Sequence, residues 1–450
     1  MTALEILRPR SLVVALAAAL AATLCGLVAA AAPASAGGFA VREQSTTSLG
    51  TAFAGSAAGG DISGIFWNSA VTGALPGCNA SSSYSLILGS SDDTARSGVL
   101  VTGTPIAPGL SPTSTDVGSD PVVPASYLTC QLSDKLYAGL AINSQFGLLT
   151  KPDDLAWAGS PIAVTSKVFS ANLNPTLAYR ITPALTLGVG LQVEYFKVRL
   201  NHGSFPSLLG PPLAGSRQYE ADDWGFGATA GILWQPMPGT SLGLGYRSAV
   251  GLDVSGAFRR GASLTGPAVV ADAEAGITLP EQVTFSIRQA LTPGWTLLGT
   301  VEWANWSRVG NVAAIGAGCG PSGACEVLNL NYRDGWLFAL GAEYAYSPLL
   351  MLRGGVAYEI SPIEDSTRDI LVPDSNRVWV SLGASYRYSD HITVDLAYAH
   401  VFFEDAPFCI ASPATGSTHC NADTPPGAIL LRGDSESAVD ILSVGLRYRF

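Results

Sequence analysis

The chain has 450 residues, 48% of them hydrophobic and only 13% charged, with a formal net charge of −11. That balance argues against nucleic acid as a partner, which calls for a basic footprint on the protein. So much apolar surface on so few charges suits a membrane protein.

The N-terminus gives the compartment. Arg8 and Arg10 precede an uncharged apolar run over residues 11–32, and the small residues Ala34, Ser35 and Ala36 follow. This is the layout of a secretory signal peptide, which is removed before folding. Residues 1–36 are therefore expected to be the signal, with the mature chain starting near Gly37. Beyond it no segment supplies the ~18 consecutive apolar residues of a spanning helix. The option left to a membrane protein is a closed β-barrel, in which every backbone polar group is paired within the sheet. Fifty glycines and 28 prolines agree with a chain rich in turns. Apart from Cys25 there are six cysteines, which allow 15 pairings. Pairing near neighbours would join Cys78 to Cys130, Cys319 to Cys325 and Cys409 to Cys420.

Residues 37–77 do not alternate. They run through Phe39 and Phe53 to Phe66-Trp67-Asn68-Ser69-Ala70, small, polar and aromatic by turns. Such a segment, entering from the side of the C-terminus, is expected to plug the barrel as a hatch.

From residue 78 to 450 one rhythm repeats. Six tight turns are expected at Ser133-Asp134, Thr182-Pro183, residues 236–239, Thr292-Pro293-Gly294, Ser347-Pro348 and Ser389-Asp390. Between them lie seven longer loops, near residues 91–120, 148–164, 201–221, 256–277, 309–326, 361–375 and 405–435. Six turns and seven loops join fourteen antiparallel strands, with the short turns periplasmic in a transmembrane barrel. Residues 184–200 show the pattern: Leu185, Leu187, Val189 and Leu191 share one face, Thr186, Gly188, Gly190 and Gln192 the other. By the same alternation Arg247, Arg288, Glu302, Glu343, Arg353, Glu359 and Asp395 point into the lumen. The last strand ends in Phe450, with Tyr448, Leu446, Val444 and Leu442 on its face. A terminal aromatic after apolar alternate positions is similar to the C-terminal signal read by the barrel-assembly machinery, so that machinery and outer-membrane lipid are expected partners.

In these features the sequence resembles the FadL family of outer-membrane long-chain fatty acid and hydrocarbon transporters. Asn68-Ser69-Ala70 matches two of three positions of the family's hatch motif, Asn-Pro-Ala, with Ser in place of Pro. Stretches such as Glu302-Trp303-Ala304-Asn305-Trp306, Asn331-Tyr332-Arg333-Asp334-Gly335-Trp336 and Arg353-Gly354-Gly355 follow in the family's order. The resemblance implies a ligand that enters from the loops, sits in an apolar pocket above the hatch, and leaves sideways at an inward kink in the third strand. Here that strand covers residues 135–146, and Gly139 and Gly147 are the candidates for the bend. Phe39, Phe66 and Trp379 are candidate pocket walls, and Arg353 is a candidate partner for a carboxylate.

The function expected is transport of hydrophobic compounds, most of all long-chain fatty acids. Aromatic hydrocarbon or xenobiotic uptake, or a structural or adhesive barrel, are the alternatives. No cofactor, metal site or catalytic set is expected. The histidines His202, His391, His400 and His419 are scattered, and H-E-x-x-H does not occur.

Overall fold

The computed structural model describes residues 38–98, 110–115, 117, 120–152, 156–203, 217–261, 268–292, 294–319, 323–411 and 419–450. The expected signal peptide lies outside them.

The described chain forms one antiparallel sheet closed into a barrel of fourteen strands. The first strand (Cys78–Ser97) pairs with the last (Ile429–Arg449) from Asn79 opposite Arg449 to Asp93 opposite Ser435, and this seam removes both edges. Short connections follow Gln131, Thr182, Met237, Thr292, Ala345 and Arg387, where the sequence predicts its six turns. Alternation sets the two faces. On the fifth strand (Leu185–His202) Val189 is 59% exposed and Leu191 49%, whereas Thr186, Gln192 and Glu194 are buried in the lumen.

The wall stands taller than the sequence reading placed it. Asn311–Ile315 and Ala324–Asn329 form a hairpin that takes up most of the stretch 309–326 expected as loop, and Ala406–Ala411 pairs with the start of the last strand. Above the bilayer a strand can carry polar residues on both faces, so alternation fades there while backbone pairing continues. Disulfides join Cys78 to Cys130, Cys319 to Cys325 and Cys409 to Cys420. The first staples the first strand to the second (Val122–Gln131) beside the seam.

The third strand is broken. Its lower part, Leu136–Asn143, pairs with the second strand on one side and the fourth (Thr165–Thr182) on the other. Its upper part, Gly147–Thr150, pairs with the fourth strand alone. The four-residue step from Asn143 to Gly147 matches only three on the fourth strand, from Asn172 to Phe169. One extra residue is thus inserted, as in a β-bulge. The second strand is left without a third-strand partner over residues 122–125, where Pro124 also lacks an amide hydrogen. Gly139 is not at the break. It lies in the continuous ladder, opposite Thr129 and Thr176, and a Cβ there would meet Thr72 of the plug. Gly147 stands at the upper lip of the break.

Residues 38–77 fill the lower lumen as three short helical turns. Ser45, Asp61 and Asn68 cap them by accepting from the amides of Ser48, Ser63 and Ala70. The wall approaches this plug backbone to backbone, which glycine alone permits. A Cβ on Gly245 would sit 1.7 Å from the Trp67 carbonyl oxygen, and one on Gly355 2.0 Å from that of Thr51. Substituting Gly245→Val is expected to leave a heat-modifiable barrel with an unseated plug. Trypsin should then cut at Arg42, which is almost fully covered in the parent; a variant that stays uncut would mean that the wall yields instead.

Candidate functional site

Above the plug lies an apolar cavity of about 70 Å³. Phe39 of the plug forms its floor, and Leu148, Val168, Phe196, Tyr219, Leu371 and Val372 are among its walls. It opens toward the loops into a wider, polar vestibule of about 510 Å³ that carries His202, Arg217, Glu326, Asp369 and His419. Glu326, Leu328 and Leu371 line both spaces. His202 lies 3.4 Å from Glu326 across the vestibule wall. Burial pushes the Asp369 carboxyl up, against the pull of His419 and of two backbone amides.

Of the four channel residues expected from sequence, only Phe39 lines the cavity. Its ring packs edge-on to Trp306 at 4.8 Å and against Phe146 at 5.9 Å. Phe66 lies lower, under the Arg247 guanidinium at 4.7 Å. Trp379 is buried at plug level, donating to Glu359 at 3.0 Å with its ring edge-on to Phe53. Arg353 sits near the turn end below the plug, bound to Glu343 at 2.9 Å and to Ser385. Alternation gave the inward face of Arg353 correctly but not its height. Phe196, Tyr219, Leu371, Val372 and the vestibule's Arg217 escaped the sequence reading. Phe196 is an inward position on an expected strand; Tyr219 stands in a stretch expected as loop that continues the strand Arg217–Met237, and the others stand at or beyond strand ends, where no periodicity exists.

The hatch motif is held by tertiary bonds. The Asn68 amide donates to the carbonyls of Ala57 (2.8 Å) and Ile232 (2.9 Å), and the Ser69 hydroxyl to Thr229 (2.5 Å). That last bond anchors the turn at the position where the family's motif has a ring-fixed φ. Arg42 spans from plug to wall, 2.6 Å from Glu302 and 2.8 Å from Glu359. The plug also completes the third strand: Val41 N–H donates to Gln145 O (2.9 Å) and Gly147 N–H to Phe39 O (2.8 Å).

The family model described as "Outer membrane protein transport protein (OMPP1/FadL/TodX)" matches residues 27–450. The chain belongs to this family. The FadL-type proteins similar to it include the long-chain fatty acid transport protein of Salmonella typhi, 25% identical over 81% of this chain and 87% of that one. Outer membrane protein P1 of Haemophilus influenzae is 28% identical over 83% and 88%. Among solved structures, a Pseudomonas aeruginosa FadL homologue superposes with a TM-score of 0.77 at 20% identity, covering 92% of this chain and all of that one. The Ralstonia pickettii toluene transporter TbuX follows the same fold, with a TM-score of 0.63 at 17% identity over 91% and 99%. As a FadL-family member the protein resides in the outer membrane and transports hydrophobic compounds; it is not an enzyme.

Glu43 gives the plug a pH dependence. It is fully buried, one carboxylate oxygen has no hydrogen-bond partner among the described residues, and burial pushes its pKa up from 4.5 to about 7. Below pH 4.5 the group is protonated whether the plug is folded or not, and costs nothing. As the pH rises from 4.5 through 7 the folded plug must first retain the proton and then bury the anion, so stability falls and levels off above 7. Glu43→Gln is therefore expected to stabilise the protein by on the order of 3 kcal/mol at pH 8. In thermal unfolding the advantage should vanish near pH 4.5.

Proposed function

We propose that this protein takes up long-chain fatty acids, binding them with the carboxylate in the vestibule and the acyl chain pointing down toward Phe39. The observation that carries this reading is the continuity of a charged vestibule with an apolar cavity through Glu326, Leu328 and Leu371. Arg217 is the carboxylate's partner by a charge-assisted hydrogen bond, and each buried methylene adds ~0.8 kcal/mol. The lower cavity's 70 Å³ is well below the ~300–1,000 Å³ of small-molecule sites. The tail therefore enters by displacing Phe39, and residues 38–77 act as a hatch. Release runs sideways through the gap beside the third-strand break, which keeps the chain out of water.

The kinship with fatty acid transport proteins supports this cargo. The toluene transporter of the same fold marks the second reading, a neutral aromatic hydrocarbon. One observation favours it: among the described residues the only charged side chain of the lower cavity is Glu326. Binding of oleate, methyl oleate and toluene to the detergent-purified protein separates the two. Oleate should bind most tightly, and Arg217→Met should weaken it about 10–100-fold, as for a lost hydrogen bond between charged groups, while leaving the ester unchanged. Neutral ligands binding as well as oleate in the parent would sink the fatty-acid reading.

A further inference from the structure

At the break in the third strand four buried polar side chains link a cation to an anion through two neutral amides. Arg247, at the end of the segment Thr240–Arg247 of the seventh strand, donates from Nε to Gln145 Oε1 (2.9 Å) and from Nη2 to Asn172 Oδ1 (3.4 Å). The same two amides donate in turn to Glu194 Oε2, each at 2.6 Å. Gln145 and Asn172 thus stand between a buried cation and a buried anion, each with its oxygen toward the arginine and its nitrogen toward the glutamate. Glu194 is 0% exposed, and the other three are 5% or less. Arg247 also donates to the Phe66 carbonyl of the plug at 3.1 Å.

Gln145 is the middle residue of the break, and this placement gives the relay its meaning. The strand has a competing arrangement, because the free edge of the second strand lies directly ahead of it. The ladder that ends at Ser126 opposite Ile142 would continue with Pro124 opposite Ser144. Straightening would close the gap in the wall. It would also pull the Gln145 amide out of its place between two charges that no water reaches, and a charge stripped of its partners inside a protein is costly.

We infer that the Arg247–Gln145/Asn172–Glu194 relay holds the third strand inward and so keeps the lateral gap open, with Arg247 and Glu194 as positioning residues for ligand release. The inference rests on sideways release as read above. The lateral gap is then a fixed part of the wall, and the ligand's work is confined to moving Phe39.

The double substitution Arg247→Met/Glu194→Met removes both charges together, so that neither is left buried alone. Gln145→Met, which keeps both charges bridged by Asn172, is the second variant should the first fail to fold. Each is combined with Pro124→Cys and Ser144→Cys as a trap for the straightened strand. The expected result has three parts: oleate binding within about threefold of the parent, uptake into cells lowered tenfold or more, and a disulfide between residues 124 and 144 on oxidation, absent when the relay is intact. Reduced uptake without the cross-link, or unchanged uptake without it, overturns the inference. A cross-link with unchanged uptake leaves the relay's role standing and overturns sideways release instead.

Discussion

The rest of this structure depends on the rule that a backbone amide or carbonyl in hydrocarbon must find a partner in the protein. The seam between the first and last strands meets it for the sheet as a whole. At the third strand the ladder stops short, and there the partner comes from within: Val41 and Phe39 bond to Gln145 and Gly147 in place of the second strand. The plug and the gap are therefore parts of one arrangement. A plug-free barrel of the same sequence would leave these groups unpaired.

The second constraint is charge in a lumen with little water. Arg42 joins Glu302 and Glu359, Arg353 and Arg288 share Glu343, and Arg447 binds Asp395 and Asp61. Two of these sets tie plug to wall. On the same strands, glycines admit the plug backbone into direct contact with the wall. The directional charge pairs fix orientation and the steric fit fixes distance. The outside follows the opposite rule: lipid-facing leucines and valines give way near the loop end to tyrosines that donate to acids, Tyr246 to Glu281, Tyr358 to Glu404 and Tyr398 to Asp440. Those pairs suit an interface where an aromatic body lies in lipid and its hydroxyl reaches the polar zone.

Strand number, face assignment and the lumen position of the seven charged residues were legible because a period of two is imposed by the bilayer at every membrane-level position. Height was not. Arg353 and Trp379 face inward as read, yet one lies below the plug and the other beside it, because depth depends on strand tilt and stagger, which alternation does not encode. The cavity walls Leu371 and Val372 come from a loop and have no pattern to betray them. The third-strand bend was foreseen in its strand: of the two candidate glycines Gly139 lies in the continuous ladder and Gly147 at the upper lip of the break, which is placed by bonds from Gln145 and Gly147 to segments remote in sequence.

The single residue inserted at that break also has a meaning for the gene. Below it Ala141 and Asn143 face the lumen; above it Leu148 and Thr150 do, so the inside of the strand changes from odd to even numbers. Losing or gaining one codon between residues 144 and 146 would turn Leu148 toward lipid and Leu149 into the cavity. Length variation there is tolerable only in steps of two. The third strand thus carries a reading frame of its own, set by which face of the sheet is wet.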